Sequence, residues 1–123
     1  MYKTIEENKD LLKFNAEGVH PADMFLNARK VAIKAVDDFV AKHGEPMYCG
    51  FAWVELPEMK LSTKLGKAFQ AIGFKKSWSR GLTMWDPAEH RGQSMDCKEV
   101  GAQAYAEVVR AYGIKAYMGS RAD

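Results

Sequence analysis

Apolar residues recur at steps of three and four between residues 20 and 44, which is the spacing of one face of an α-helix. This apolar stripe consists of Phe25, Ala28, Ala32, Val36 and Phe39. Pro21 suits the first turn of a helix, and Gly44 is typical of a helix end. The pattern therefore predicts a first long helix over residues 20–44.

Residues 47–56 follow a different pattern, in which alternate residues face opposite sides as they do in a β-strand. One side of this predicted strand is mostly aliphatic and holds Gly50, Ala52, Val54 and Leu56. The other side carries the large aromatic rings of Phe51 and Trp53. The strand therefore has two apolar faces, and each of them is expected to be buried against another group.

A second helix and a hairpin are predicted after Pro57. Ser62 suits the N-cap of a helix over residues 63–72, and Gly73 suits its end. Two β-rich runs then flank residues 79–81, which close on a glycine. Such a spacing predicts a hairpin with Gly81 in the left-handed conformation.

The last part of the chain predicts a long helix and a final strand. Ser94 can cap a helix over residues 95–112, and Gly113 can end it. Residues 114–118 read as the last strand. The remaining residues, 119–123, are predicted to form a short polar tail.

After the first helix the element order is β-α-β-β-α-β. This order predicts an α+β fold of the ferredoxin-like type, an antiparallel sheet with two helices on one face and an extra N-terminal helix. A chain of 123 residues suits one domain. We expect an N-terminal arm over residues 1–19 and a single α+β domain over residues 20–123.

Strand alternation places four aromatic residues on the sheet face away from the two helices: Phe51, Trp53, Trp85 and Tyr117. An apolar patch of this size is not expected to stay bare. Three covers are compatible with the sequence: the first helix, a second copy of the chain in a homo-oligomer, or stacked nucleobases.

Charge and composition narrow the classes of function. The net charge is only +2, but the segment from residue 59 to 85 has six cations and no acid: Lys60, Lys64, Lys67, Lys75, Lys76 and Arg80. Such a block favours phosphates, although a solvated lysine surface explains it equally well. The sequence has no run of 18 apolar residues and no secretory signal, so we expect a cytoplasmic protein without a membrane segment.

The start of the helix over residues 95–112 is a candidate anion site. Arg91, Gln93 and Ser94 precede it, Lys98 lies one turn on, and helix N-termini attract anions. Simple capping explains Ser94 as well. The histidines are scattered and no catalytic motif appears, so we expect no metal, no cofactor and no enzymatic activity.

Three segments of the sequence form a further pattern: FAWVEL, STKLGKAFQAIGF and QSMDCKEVGAQAYAEVVRAYGIKAYMGSRAD. They resemble a family of small proteins encoded by tailed phages, and the resemblance runs from the first predicted strand to residue 123, about two-thirds of the chain. Phages also encode small oligomeric sponges, such as anti-CBASS proteins, that hold cyclic dinucleotides of host immunity. If the resemblance extends to that class, it marks as candidates Gln93, Ser94, Lys98, Tyr117, Ser120, Arg121 and Asp123.

The expectation is a non-catalytic homo-oligomer that sequesters a small phosphorylated nucleotide, such as a cyclic dinucleotide, in the host cytoplasm. Aromatic rings and guanidinium groups suit the bases and phosphates of such a ligand. The residues expected at the site are therefore those seven together with Trp53, Arg80, Trp85 and Arg91. The alternatives are a nucleic-acid-binding regulator that uses the basic block Lys60–Arg80, and a protein inhibitor of a host enzyme.

Overall fold

The computed structural model describes residues 21–45, 48–77, 80–89 and 94–122 of the chain. The predicted arm, residues 1–19, lies outside these ranges. No helix within them is both long enough and apolar enough to cross a membrane.

Helix α1 spans Pro21–His43 and confirms the first predicted helix. It ends at Gly44, which has a φ of +73° and whose amide donates to the carbonyl of Val40 at 2.8 Å. Glycine adopts this left-handed conformation without the steric penalty of other residues. Lys42 and His43 lie in the last turn, where positive charge is favourable beside the helix dipole.

Two further helices follow close to their predicted bounds. Helix α2 spans Lys64–Ala71 and helix α3 spans Met95–Ala111. The N-cap of α2 is Thr63 rather than the predicted Ser62, since the Thr63 hydroxyl accepts from the amide of Gly66 at 3.0 Å. The predicted glycine ends are both confirmed by positive φ angles, +119° at Gly73 and +88° at Gly113.

Four strands complete the described part of the chain: β1 Gly50–Leu56, β2 Lys75–Lys76, β3 Leu82–Trp85 and β4 Tyr117–Ala122. They form one antiparallel sheet in the order β2-β3-β1-β4, so that β1 pairs with both β3 and β4. The described residues therefore form an α+β structure with a four-stranded antiparallel sheet and three helices.

The predicted hairpin joins β2 to β3. The amide of Ser77 donates to the carbonyl of Gly81 at 2.9 Å, and Gly81 has a φ of +78°. A Cβ atom at Gly81 would also lie 2.0 Å from the carbonyl oxygen of Leu56. Both the left-handed conformation and the close approach to β1 thus require glycine at this position.

The last strand lies farther along the chain than predicted. Residues 114–118 were expected to pair, but β4 begins only at Tyr117 and includes most of the predicted polar tail. Ile114 and Ala116 are buried in the connection, where the carbonyl of Ala116 accepts from the Arg110 guanidinium at 2.6 Å. The chain needs these residues to cross from α3 to the sheet edge, so pairing starts later than the apolar pattern suggests.

Burial alternates strictly along β1, with Ala52, Val54 and Leu56 buried beneath the helices. Helix α3 packs on this helix face of the sheet, and α1 packs mainly against α3. Gly101 allows the close approach of α1, because a Cβ atom there would lie 3.0 Å from Cγ2 of Val36. Since α1 belongs to the helical layer, it does not cover the opposite face of the sheet, which excludes one of the three predicted covers.

Candidate functional site

The sheet face opposite the helices carries the four predicted aromatic residues, and we call it the aromatic face. It consists of Phe51, Trp53, Trp85 and Tyr117. Trp85 is 47% exposed and Tyr117 is 50% exposed, whereas Phe51 and Trp53 are half-buried. No helix among the described residues lies over them, so large aromatic surfaces remain accessible.

Strand register brings three of these rings into contact. Trp53 lies directly opposite Trp85, and their rings stack with centroids 4.9 Å apart and an interplanar angle of 29°. Phe51 meets Trp85 edge-on with centroids 5.5 Å apart. Such pairs contribute about 0.5–1.5 kcal/mol each beyond their area burial. The rings therefore form a preorganised cluster with two indole planes at its centre.

Two cations lie beside this cluster, both near the start of β1. Arg121 pairs with Phe51 in the sheet, and its guanidinium carbon lies 5.7 Å from the ring centroids of both Phe51 and Trp85. Lys98 reaches from α3, with its ammonium 5.3 Å from the Phe51 centroid and donating to the carbonyl of Gly50 at 3.2 Å. Arg121 is exposed, and within the described residues its guanidinium contacts rings and not an acidic side chain, an arrangement that suits an anion beside the rings.

Polar groups lie at the other end of the aromatic face. Glu55 is paired with Thr83 on one side and Tyr117 on the other. The Trp53 indole Nε1 donates to Glu55 Oε1 at 2.8 Å, and the Thr83 hydroxyl donates to the carbonyl of Val54 at 3.0 Å. The face therefore runs from cations through stacked rings to a carboxylate.

Gly119 lets the Trp53 indole lie across β4. It is the residue opposite Trp53 in the β1–β4 pairing. A Cβ atom at this position would lie 2.5 Å from both Cε2 and Nε1 of Trp53, closer than real side chains approach. The orientation of the indole, and its hydrogen bond to Glu55, therefore depend on the absence of a side chain at Gly119.

Two cavities adjoin Trp85. The first has a volume of about 320 Å³ and lies between α1 and the end of β3, where Arg29 forms a 2.7 Å ion pair with Glu89. Tyr105 lines the same cavity, and burial raises the pKa of its hydroxyl, so it stays neutral. The second has a volume of about 470 Å³ and is lined by Lys75, Lys76 and Thr83 as well as Trp85. Trp85 thus connects the aromatic face to a cationic recess at the β2 edge.

Five predicted site residues meet on or beside the aromatic face: Trp53, Trp85, Lys98, Tyr117 and Arg121. Arg80 does not join them, because it lies in the hairpin turn where its charge acts on Glu58 and Lys115. Arg91, Gln93 and Asp123 lie outside the described residues.

The two predicted serines have other contacts. Ser120 faces the helices, and its hydroxyl donates to Glu99 of α3 at 2.6 Å. Ser94 is 2% exposed and caps α3 by accepting from the amide of Cys97. The neighbouring amide of Met95 donates to the carbonyl of Tyr48 at 2.7 Å, so backbone amides at this helix start already form hydrogen bonds within the protein. The capping interpretation of Ser94 is the one that the contacts support.

Sequence reasoning missed Glu55, Thr83 and Gly119 at this site. Alternation along β1 assigns Glu55 to the same side as Trp53, so parity was a sufficient signal for the carboxylate. Gly119 gave no such signal, because its role depends on the register between β1 and β4. Within the described ranges, no three His, Cys, Asp or Glu side chains are grouped so that they could hold a metal ion.

Comparison of the chain with protein-family models, curated proteins and solved structures found no match.

Proposed function

We propose that this chain is a non-catalytic nucleotide-binding protein whose ligand lies on the aromatic face of the sheet. The observation that supports this most is the exposed Arg121 guanidinium beside the stacked indoles of Trp53 and Trp85. Stacked rings suit a nucleobase, and an adjacent guanidinium suits its phosphate. Neither group transforms a nucleotide, so the ligand is bound and released intact.

Stacking provides the part of the affinity that does not depend on which base the ligand carries. Trp85 is half exposed and already held in place by contacts with Trp53 and Phe51. A base that stacks on such a surface gains about 1–3 kcal/mol. Because the rings are preorganised, little side-chain entropy is lost when the ligand arrives.

Arg121 and Lys98 supply the positive charge at one end of the face. A charge-assisted hydrogen bond to a phosphate contributes about 1.5–3 kcal/mol. Lys75 and Lys76 in the recess beside Trp85 offer a second cationic position. Two separated cationic positions on either side of one aromatic cluster suit a ligand with two phosphates, such as a cyclic dinucleotide.

The resemblance to small phage proteins supports the biological part of the proposal. The chain sequesters a cyclic dinucleotide immune signal in the host cytoplasm and thereby counters antiviral defence. We propose that it does so as a homo-oligomer, because an open sheet face encloses a small ligand only when a second subunit closes over it. Native mass spectrometry of the purified protein tests the subunit count and any carried ligand together.

The same proposal includes a ferredoxin-like fold for the part of the chain after α1. The strand order β2-β3-β1-β4 and the crossovers through α2 and α3 support it. The long α1 packed on α3 would then be an addition outside that unit.

Titration of cyclic dinucleotides into the protein, followed by tryptophan fluorescence, tests the site. We expect Arg121→Ala and Trp85→Ala each to weaken binding by roughly tenfold to hundredfold, since each removes about 1.4–3 kcal/mol of interaction. Arg80→Ala is a matched control, because this exposed arginine lies in the hairpin turn away from the rings. Unchanged binding in both site variants would refute the aromatic-face assignment.

Nucleic-acid binding by the basic block is the second candidate, and the exposure of Lys60, Lys64 and Lys67 favours it. A nucleic-acid complex would lose affinity steeply with added salt, and Arg80→Ala would weaken it. A sponge would instead return its ligand chemically intact after denaturation, as chromatography can verify. Capture of a host enzyme in the absence of any nucleotide would support the inhibitor alternative.

A further inference from the structure

We propose that the aromatic face selects guanine and that Glu55 is the residue that determines this specificity. The inference rests on the nucleotide binding proposed above and names the base that the site prefers. Stacking alone does not discriminate strongly among bases, because every base has a π-face. Selectivity therefore needs a polar group at the edge of the stacking surface, and among the described residues Glu55 is an acidic side chain that lies there.

Glu55 lies beside the stack because of strand geometry. It follows Trp53 by two residues on the same side of β1, which places it about 7 Å farther along the strand. A base stacked over the indoles of Trp53 and Trp85 would direct one edge toward this side chain. The carboxylate is half-buried, so its charge is less screened than that of a fully exposed acid.

Trp53 fixes the orientation of the carboxylate. Its indole Nε1 donates to Oε1 of Glu55 at 2.8 Å. Oε2 has no hydrogen-bond partner within the part of the chain that the structure describes. Each carboxylate oxygen has two lone pairs, so the group retains acceptor capacity on the side turned away from Trp53. The residue is thus held in place by Trp53 and is still able to accept further hydrogen bonds.

Guanine matches this acceptor better than the other bases do. Its Watson–Crick edge presents N1–H and the N2 amino group as adjacent donors, which suit the two oxygens of a carboxylate. Adenine and cytosine each place a ring nitrogen acceptor beside their single amino group, and uracil flanks its one N–H with two carbonyl oxygens. Those acceptors would face the negative charge of Glu55, which is unfavourable.

The opposite end of the face completes the arrangement. Arg121 pairs with Phe51, four residues before Glu55 and about 13 Å away along the strand. A nucleotide can therefore contact Arg121 with its phosphate while its base edge reaches Glu55. The reverse orientation would bring the phosphate against the Glu55 carboxylate, and Lys75, the cation in the same row of the sheet, lies two strands away on β2. Arg121 and Glu55 therefore favour the first orientation.

Five ribonucleoside monophosphates test this inference: GMP, IMP, AMP, CMP and UMP, each titrated into the full chain and followed by tryptophan fluorescence. We expect GMP to bind roughly tenfold to hundredfold more tightly than AMP, the range of one or two hydrogen bonds to a charged group. IMP keeps N1–H but lacks the N2 amino group, so its affinity should lie between those of GMP and AMP.

Glu55→Gln should reduce the preference for GMP over AMP to within about threefold, because the carboxamide turns a donor toward the donors of guanine. Glu58→Gln is the matched control, since Glu58 is exposed and pairs with Lys115 beyond the end of β1, and it should leave the preference unchanged. Far-UV circular dichroism checks that both variants are folded.

The possible failures are distinguishable. Equal affinity for all five nucleotides would overturn the guanine inference and leave the proposed function standing. A GMP preference that survives Glu55→Gln would assign the selectivity to another residue and overturn the role of Glu55. Absence of binding for every mononucleotide and every cyclic dinucleotide would overturn both the inference and the proposed function.

Discussion

The two faces of the sheet share one backbone but differ in what their side chains contact. On β1, Val54 is fully buried under the helices, whereas its neighbours Trp53 and Glu55 are partly exposed on the aromatic face. Side chains on the helix face contact α3, while those on the aromatic face contact one another. The comparison indicates that stability depends mainly on the helix face, and that the aromatic face keeps exposed surface.

Adjacent substitutions in β3 give the largest expected difference. Leu82→Ala should lower the free energy of unfolding by about 2–5 kcal/mol, because Leu82 is 0% exposed and its removal leaves a cavity. Thr83→Ala, on the other face, loses mainly the hydrogen bond to the carbonyl of Val54, worth about 1 kcal/mol. Urea unfolding followed by far-UV circular dichroism measures both. Equal losses would indicate that the aromatic face is also covered in solution.

Gly119→Ala should produce an intermediate effect that is specific to the aromatic face. The added Cβ atom displaces the Trp53 indole and breaks its hydrogen bond to Glu55. Because the indole can swing toward solvent, we expect a loss of stability near the lower end of the range of about 1–3 kcal/mol for overpacking. Near-UV circular dichroism should change, since the stacked indoles separate.

Ser120→Ala serves as the control for Gly119→Ala. Ser120 is the next residue in β4 but faces the helices, where its hydroxyl donates to Glu99. Its removal should leave the near-UV spectrum of the indoles unchanged. If Ser120→Ala altered that spectrum as strongly as Gly119→Ala, the two faces would be coupled rather than separate.

The exposed ion pair between Lys115 and Glu58 should have the smallest effect. The Lys115 ammonium lies 2.5 Å from Glu58, lowers the pKa of that carboxyl, and has its own pKa raised in return. Because the pKa of Glu58 is lower in the folded state than in the unfolded state, the pair stabilises the folded state at pH values above the unfolded pKa. This stabilisation is lost as the pH falls through the folded pKa of Glu58. Because the pKa of Lys115 is higher in the folded state, the pair stabilises the folded state at pH values below the unfolded pKa of Lys115. This stabilisation is lost as the pH rises through the folded pKa of Lys115.

Lys115→Met should therefore leave the Tm at neutral pH and physiological salt unchanged within error, because solvent screens this pair. Differential scanning calorimetry at low and high salt measures the effect. A large drop in Tm that persists at high salt would contradict the interpretation of Lys115 as a surface residue.

Local patterns predicted the helices and the hairpin well, because each of these elements is defined by neighbours in sequence. Gly81 needs a left-handed conformation within its own turn, and Gly113 ends α3 within its last turn. The final strand was placed too early, because the apolar residues Ile114 and Ala116 fill the connection and not the sheet. A polar edge strand such as β4 has no strong local signal, so its pairing with β1 could not be inferred.

The residues of the candidate site were likewise predicted correctly where alternation along one strand was sufficient. Parity along single strands identified Trp53, Trp85 and Tyr117 as residues of one face. Ser120 was assigned by motif resemblance and not by parity, and it faces the helices in the structure.

By itself, the sequence determined which residues are helical, where the turns occur and which side of β1 is aromatic, because hydrogen bonding, steric limits and side-chain alternation act over a few residues. Only the tertiary structure decided that α1 packs on α3 and leaves the aromatic face open. The tertiary structure also decided that Arg121 lies beside the rings, since this requires the register between strands more than sixty residues apart in sequence. Register and helix packing depend on the fit of surfaces that are distant in the chain, and no local pattern records that fit.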